Sequence, residues 1–369
     1  MCFRWRRVRQ FAAIVLLCAI PSLAQRPSVH TQSKTQPAAS VVASARLFEF
    51  HSGFWINLHH FLYLAAFTRV SSEGPRRTPS MSEADISALT SLHPDEQQSW
   101  LRAINYYAES MVHRDLLFDR NMQSIKNALE DAESSTDLAN VAIPAELRTT
   151  LLDVAAVYRA HWWARHDAQN RKWIDTVRPL VDEYGAGLRD ALVKIYDEPW
   201  PGQPVRVDVT VYGGRFGAYT TIQPTRVTIS STSPGNAGNA SLEVLFHETS
   251  HGMMDKVIAA ARSSEARMNP GASSRTGDRR QHLHAETTEN IWHAVLFYTI
   301  GELVAERIHG YTPYAEANGL WSLVWPAPDR KLIEQDWKPH MQGEVSIDDA
   351  IYSLVRDWHE AARKREAAE

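Results

Sequence analysis

The chain has 369 residues, a formal net charge of −4 and 44% hydrophobic residues, which is the composition of an ordinary globular protein. It carries no excess of positive charge, so composition gives no support to a nucleic-acid-binding function. A chain of this length can bury a large core without cross-links, and it is long enough for one large domain or two.

Residues 1–24 have the pattern of an export signal. Four arginines within residues 4–9 precede an apolar run, Phe11 to Ile20, that is too short to cross a bilayer comfortably, and small residues for cleavage follow it. Removal of this segment would change the net charge to about −8. We therefore expect an exported protein, periplasmic or secreted, whose mature chain has no transmembrane span.

Both cysteines of the chain, Cys2 and Cys18, lie inside this segment. The mature chain is therefore expected to have neither a disulfide framework nor a thiol nucleophile. Lipid attachment at Cys18 is disfavoured, because the residue before it is a bulky leucine where a lipoprotein signal has a small residue.

Residues 25–45 are rich in Ser, Thr, Gln, Pro and Ala, which indicates a flexible linker, and residues 46–200 then show helical periodicity. The helices predicted in this N-terminal region are Phe54 to Val70, Ser82 to Leu92, Asp95 to Leu117, Asn121 to Glu133 and a long series from Pro144 to Tyr196. Two pairs of residues on these helices could face a ligand, but we favour packing for both: His59 with His60, and Trp162 with Trp163.

A region with strands begins after the turn-prone residues 197–202, and we assign residues 201–369 to it. Val205 to Tyr212 alternates apolar and polar residues, and Gly217 to Ile222 and Arg226 to Ser230 follow as two further strands. The predicted fold class is α+β, mainly helical, with a small antiparallel sheet covered by the helix that follows it. An edge strand of this sheet could bind an extended peptide through backbone hydrogen bonds, or the sheet could simply support the helix.

The segment Leu242 to Asp255, LEVLFHETSHGMMD, contains His247, Glu248 and His251 in the spacing H-E-x-x-H. Residues four apart on a helix share a face, so the two imidazoles can bind one metal ion while Glu248 lies beside it as a base. This spacing is typical of zinc peptidases. The alternative is a pair of histidines that only satisfy local hydrogen bonds.

A catalytic zinc usually has three protein ligands, so a third ligand must come from elsewhere in the chain. In the nearly all-apolar segment Ile291 to Val304 the only charged residue is Glu302, and a buried carboxylate needs a partner such as a metal. Glu306 lies one turn further on the same face and could accept a hydrogen bond from a ligand imidazole. His293 lies about 180° away from Glu302 around the helix, so the two cannot face the same ion.

We therefore predict that His247, His251 and Glu302 bind the metal. The alternatives for this third position are an ion pair of Glu302 with Arg262 or Arg307, and a ligand supplied by His282 or His284.

The H-E-T-S-H motif, followed by a helix with Glu302 and Glu306, resembles the gluzincin group of zinc metallopeptidases over roughly residues 205–310. The resemblance implies a zincin-like catalytic region that hydrolyses a peptide or protein substrate with a zinc-bound water, Glu248 being the general base. Asp255, one turn after His251, is similar to an acidic residue that supports the motif in thermolysin-like members. The separation between His251 and Glu302 is longer here than in thermolysin.

The same mechanism requires a hydrogen-bond donor for the developing oxyanion, and we favour Tyr311 over Tyr314 and His340. Two other functions are compatible with the motif. One is a non-catalytic binding protein that keeps the zincin scaffold, and the other is a zinc hydrolase of another amide or an ester.

Overall fold

The computed structural model describes residues 46–70, 81–214, 217–268, 279–325 and 329–367, with the backbone alone for 279–290, 329 and 366. The predicted signal and linker lie outside the described residues. Most of the described chain is helical, and one small sheet completes the α+β fold. Among the described residues, no helix combines the length and hydrophobicity needed to cross a membrane.

The N-terminal half consists of one short strand, β1 (Phe48–His51), and six helices. The helices are α1 (Phe54–Val70), α2 (Glu83–Thr90), α3 (Pro94–Ser110), α4 (Arg120–Asp131), α5 (Ala145–Tyr158) and α6 (Ala164–Tyr196). A π-helical turn, Arg159–Trp163, joins α5 to α6. The predicted helices are therefore present, although α3 ends earlier than the expected Leu117.

The second half contains three strands and eight helices among the described residues. The strands are β2 (Val205–Thr210), β3 (Ala218–Ile222) and β4 (Thr225–Ser230). The helices are α7 (Ala240–Ser250), α8 (Asp255–Met268), α9 (Arg279–Arg307), α10 (Tyr314–Ala317), α11 (Leu320–Leu323), α12 (Asp329–Asp336), α13 (Lys338–Met341) and α14 (Ile347–Glu366).

The four strands form a mixed sheet in the order β1-β2-β4-β3, and the predicted antiparallel sheet is wrong in this respect. β1 pairs with β2 and β2 pairs with β4 in parallel, and only β3 and β4 are antiparallel. β3 is separated from β2 by one strand position, and β4 fills that position between β2 and β3. This order leaves β3 at one edge of the sheet.

Two hydrophobic cores divide the described chain. One core is formed by α1 to α5 together with Val211 and Tyr212, and the other by β1, the sheet, α6 and the helices from α7 onward. The two cores interleave along the chain, since β1 belongs to the second core and Val211 and Tyr212 to the first. Trp162 is buried in the first core, where its ring stacks on Trp100 with 4.6 Å between centroids, so its role is packing.

A buried carboxylate ties the N-terminal helices to the end of β2. Asp85, on α2, accepts hydrogen bonds from His166 (3.0 Å), Arg165 and the Tyr212 hydroxyl. Burial opposes ionisation of Asp85, but the hydrogen bonds from His166, Tyr212 and Ser82 outweigh it and lower its pKa below the usual value. Asp85 is therefore a stabilising anion of the N-terminal core.

The two cores also meet across β3, through the histidine pair of α1. His60 Nδ1 donates to the carbonyl of Ile56 (2.8 Å), which leaves Nε2 to accept from the Tyr219 hydroxyl at 2.5 Å. His59 contacts the Tyr107 hydroxyl at 2.9 Å. Both histidines are buried, and burial lowers the pKa of His60 to about 3, so they pack as neutral side chains.

Candidate metal centre

Helix α7 places the H-E-x-x-H motif between the sheet and α9. Its apolar residues Leu242, Leu245 and Phe246 are fully buried in the second core, so the orientation of the helix is fixed by packing. The helix ends at Ser250, and His251 begins a 3₁₀ turn, His251–Met253. The tighter turn still leaves His251 beside His247, with 5.0 Å between ring centroids.

Gly252, directly after His251, allows this turn to pack against the sheet. A Cβ atom at this position would lie 2.8 Å from Thr225 Oγ1 and 3.0 Å from the Pro201 side chain. The first distance is shorter than real Cβ atoms show and the second is tight, so any other residue here would displace the side chains of Thr225 and Pro201, where the motif meets the β3–β4 turn.

A third histidine, His293 of α9, completes a cluster with His247 and His251. Each of the three offers one nitrogen, and the three nitrogens lie within 4.8 Å of one another. The Nε2 atoms of His293 and His247 are 3.3 Å apart. Zinc–nitrogen bonds of about 2.1 Å in tetrahedral geometry require nitrogens about 3.4 Å apart, so this distance fits a shared ion.

The three imidazoles lie where protonation is disfavoured. Burial lowers the pKa of His251 to about 4 and that of His293 to about 3, and burial together with the neighbouring histidines lowers that of His247 well below its usual value. Their nitrogens therefore keep lone pairs at neutral pH, as metal ligation requires. Three convergent neutral nitrogens, one on a buried side chain and two on partly exposed ones, are a donor set that could hold a metal ion.

Aromatic rings surround the cluster. Phe297 lies 4.0 Å from His247, Trp292 lies 5.5 Å from His251, and Trp325 lies 6.0 Å from His293, measured between ring centroids. These rings limit the access of water to the imidazoles and lower the local dielectric constant, which strengthens electrostatic interactions there.

Glu248 lies beside the cluster, with its Oε2 atom 3.9 Å from His251 Nε2. The residue is 8% exposed, and its carboxylate accepts a hydrogen bond from the hydroxyl of Thr220 on β3 (2.8 Å). Burial raises the pKa of Glu248 to about 7, and the Thr220 bond opposes that rise. A carboxyl group with a pKa near neutrality can both accept and return a proton, which is the requirement for a general base that later acts as an acid.

Glu302, the predicted third ligand, lies on another face of α9. Its carboxylate is 3.5 Å from Arg330 and 3.6 Å from Lys338, and its side chain is 22% exposed. The structure thus brings His293, not Glu302, to the motif. The expectation that the two residues face opposite sides is correct, but the choice between them has to be reversed.

The reason for this reversal is that Glu302 has cations as partners. Arg330 belongs to α12 and Lys338 to α13, and sequence alone could not place them there. A signal for His293 was present in the chain: His293, Phe297 and Gly301 are spaced by four and form the stripe of α9 that faces α7. Gly301 permits the close approach, since a Cβ there would lie 3.2 Å from Glu243 on α7.

The other predicted site residues are only partly brought together. Glu306 and Asp255 are exposed, and among the described residues neither contacts a ligand imidazole. His340 is bonded to the carbonyls of Ile195 and Val345, at 2.8 and 2.9 Å. The side chains of the alternative ligands His282 and His284 lie outside the described part of the chain.

Tyr311, the predicted oxyanion donor, is committed to another partner. Its hydroxyl donates to Glu243 (2.7 Å), and the backbone amide of Tyr314 donates to the same carboxylate oxygen (2.8 Å). The Tyr314 ring stacks on Phe297 at 6.1 Å, next to His247. Burial and the charges of Glu243 and Glu248 raise the pKa of Tyr314 to about 12, so its hydroxyl is neutral at pH 7. The contribution of Glu248 to this shift places the two side chains near each other.

Comparisons of the chain with protein-family models, with curated proteins and with solved structures found no match. The class of site is therefore defined by its own geometry, as one buried and two partly exposed histidines that could hold a metal ion beside a carboxylate of raised pKa.

Proposed function

We propose that the protein is an exported zinc metallopeptidase in which His247, His251 and His293 bind the metal and Glu248 is the general base. The observation that carries the proposal is the convergence of three imidazole nitrogens within 4.8 Å of one another beside a buried carboxylate. A zinc ion, when bound, would supply Lewis-acid activation of a water nucleophile. Three histidines are one of the ligand sets that leave a fourth position open for catalysis.

Glu248 would take a proton from the attacking water and later give it to the leaving amine. Its carboxylate faces the cluster at 3.9 Å from His251, and its pKa of about 7 suits both transfers. Tyr314 replaces Tyr311 as the proposed oxyanion donor. The Tyr311 hydroxyl is bonded to Glu243, whereas no described residue forms a hydrogen bond with the Tyr314 hydroxyl, whose ring lies beside Phe297.

The edge strand β3 favours a peptide as the substrate. The carbonyl of Gly217 accepts from the amide of Ser230 on β4, and the direction of such bonds alternates along an antiparallel pair. The amides and carbonyls of Ala218 and Thr220 therefore point away from β4, and among the described residues no strand pairs with that edge. An extended peptide could bind there and pass beside Glu248.

The test compares the mature protein with Glu248→Gln. Both should bind about one zinc ion per chain, while peptide-library cleavage by the variant should fall by about 10²- to 10⁴-fold, the range for a lost general base. Glu302→Gln is the matched control on α9 and should cleave as the wild type does. A wild type that holds zinc and cleaves no peptide, or a Glu248→Gln variant of full activity, would refute the proposal. N-terminal sequencing of the secreted protein, expected to begin near Gln25, tests export.

A further inference from the structure

The Thr220 hydroxyl joins the edge of the sheet to the end of α7. Thr220 Oγ1 lies 2.6 Å from the Glu248 backbone carbonyl and 2.8 Å from Glu248 Oε2. The carbonyl is in the last turn of α7, and the carboxylate is the proposed base. One threonine side chain therefore contacts both the backbone and the functional group of the same residue.

Both contacts of the Thr220 hydroxyl are with Glu248. The hydroxyl has one proton, which it can donate to the carboxylate oxygen or to the backbone carbonyl of that residue. The bond to Oε2 fixes the direction in which the carboxylate points.

Thr220 also lies on the proposed path of the substrate. Its amide and carbonyl point away from β4, toward the open edge of the sheet, while its side chain points toward α7. Among the described side chains, Thr220 is the hydrogen-bond partner of the Glu248 carboxylate, since the nearest His251 nitrogen is 3.9 Å away.

We propose that Thr220 is the positioning residue of the site: its backbone receives the substrate strand, and its hydroxyl fixes the Glu248 carboxylate beside the scissile bond. This inference rests on the proposed function and adds a residue to it. Because the hydroxyl acts through Glu248 and the backbone contacts are independent of the side chain, loss of the hydroxyl should affect turnover and leave substrate binding unchanged.

The kinetic test uses Thr220→Val, which keeps the shape of the side chain without its hydroxyl, and Thr220→Ser, which keeps the hydroxyl. The valine variant should lose about 10- to 100-fold in kcat, as expected for a lost hydrogen bond to a charged group, with KM within about twofold of the wild type. The serine variant should recover kcat to within about threefold of the wild type. Thr221→Val is the matched control, because this buried neighbour on β3 points to the other side of the sheet.

A second readout does not depend on activity. In crystal structures of zinc-loaded wild type, Thr220→Val and Thr220→Ser, the Glu248 carboxylate should keep its position in the wild type and the serine variant and turn away in the valine variant. Should Thr220→Val not fold, Thr220→Ala makes the same comparison.

The inference is overturned by an unchanged Glu248 position in the variant that lacks the hydroxyl, by an unchanged kcat in that variant, or by an equal loss in the serine variant. If none of the proteins cleaves a peptide, the proposed function fails, while the position of Glu248 still decides the role of Thr220.

Discussion

Removal of the His293 imidazole is expected to weaken zinc binding, whereas removal of the Glu302 carboxylate is not. His293 Nε2 lies 3.3 Å from His247 Nε2, inside the cluster. Glu302 lies against Arg330 and Lys338, and its side chain is 22% exposed. The variants His293→Ala and Glu302→Ala therefore change two residues of one helix with opposite expected results.

The size of the effect follows from the number of ligands. Structural zinc sites with four protein ligands bind with about 10–16 kcal/mol, which is roughly 2.5–4 kcal/mol per ligand. Loss of one of the three imidazoles should therefore weaken zinc binding by about 100-fold or more. Glu302 takes part in partly exposed ion pairs, and its removal should cost only about 0.2–1 kcal/mol of stability without changing zinc affinity.

Two assays measure this difference. Competition with a chromophoric chelator at neutral pH gives the zinc affinity directly. Unfolding at a zinc concentration near 1,000 times the wild-type Kd gives the same quantity by linkage, and the zinc-dependent stabilisation should fall from about 4.1 to about 1.4 kcal/mol if affinity falls 100-fold. His340→Ala controls for the loss of any histidine, since His340 is bonded to the Ile195 carbonyl, outside the cluster.

The reasoning is refuted if His293→Ala retains zinc within about threefold of the wild type, because one of three ligands cannot be lost at so small a cost. If Glu302→Ala releases zinc, the Glu302 carboxylate is a ligand after all.

Three other predictions concern the scaffold. Asp85→Asn should reduce the free energy of unfolding at pH 7 by about 2–4 kcal/mol, because it breaks a buried charged cluster. Since the pKa of Asp85 is lowered in the folded protein, its contribution is complete above the unfolded pKa near 4 and is lost as pH falls through the folded pKa. Denaturant titrations of both proteins should therefore converge in acid, and a constant difference would contradict the assignment. Gly301→Ala would place a Cβ 2.8 Å from the Pro313 side chain and 3.2 Å from Glu243, so α9 should move away from α7. Zinc affinity should then fall by about 10-fold in the chelator assay. An unchanged affinity would show that the site does not need close contact between the two helices at Gly301. Trp162→Ala should lower the free energy of unfolding by about 3–5 kcal/mol in denaturant titrations. Zinc affinity should not change, since Trp162 belongs to the N-terminal core. A loss of zinc binding in this variant would show that the two cores are coupled.

The helices were predictable because their apolar spacing is long and regular. Helix α1, Phe54–Val70, has the expected bounds, and α7 begins after the turn-rich residues before it. The parallel pairing of the sheet was not predictable. Strand β1 has four residues, Phe48–His51, which is too short for a periodic signal, and its partner β2 follows only after six helices.

The part of the site that lies within one short segment of the chain was predictable. His247, Glu248 and His251 lie within five residues, so one helix and one turn bring them together. The choice between His293 and Glu302 depended on which face of α9 packs against α7, and tertiary packing sets that face. Thr220 carries no signal of its own, because a threonine in a strand is common and its contact with Glu248 exists only after the sheet and α7 have packed.

The pairing of β1 with β2 also has a consequence for the order in which the chain folds. Phe48 pairs with Val205, so this strand must wait for a partner made about 160 residues later. Closing so long a loop costs entropy that only the finished sheet repays, whereas the helices from α1 to α5 have a core of their own. During synthesis, the N-terminal helices can collapse first, while the sheet forms and the three histidines converge late. The proposed metal site can therefore assemble only after the chain as far as His293 has been made.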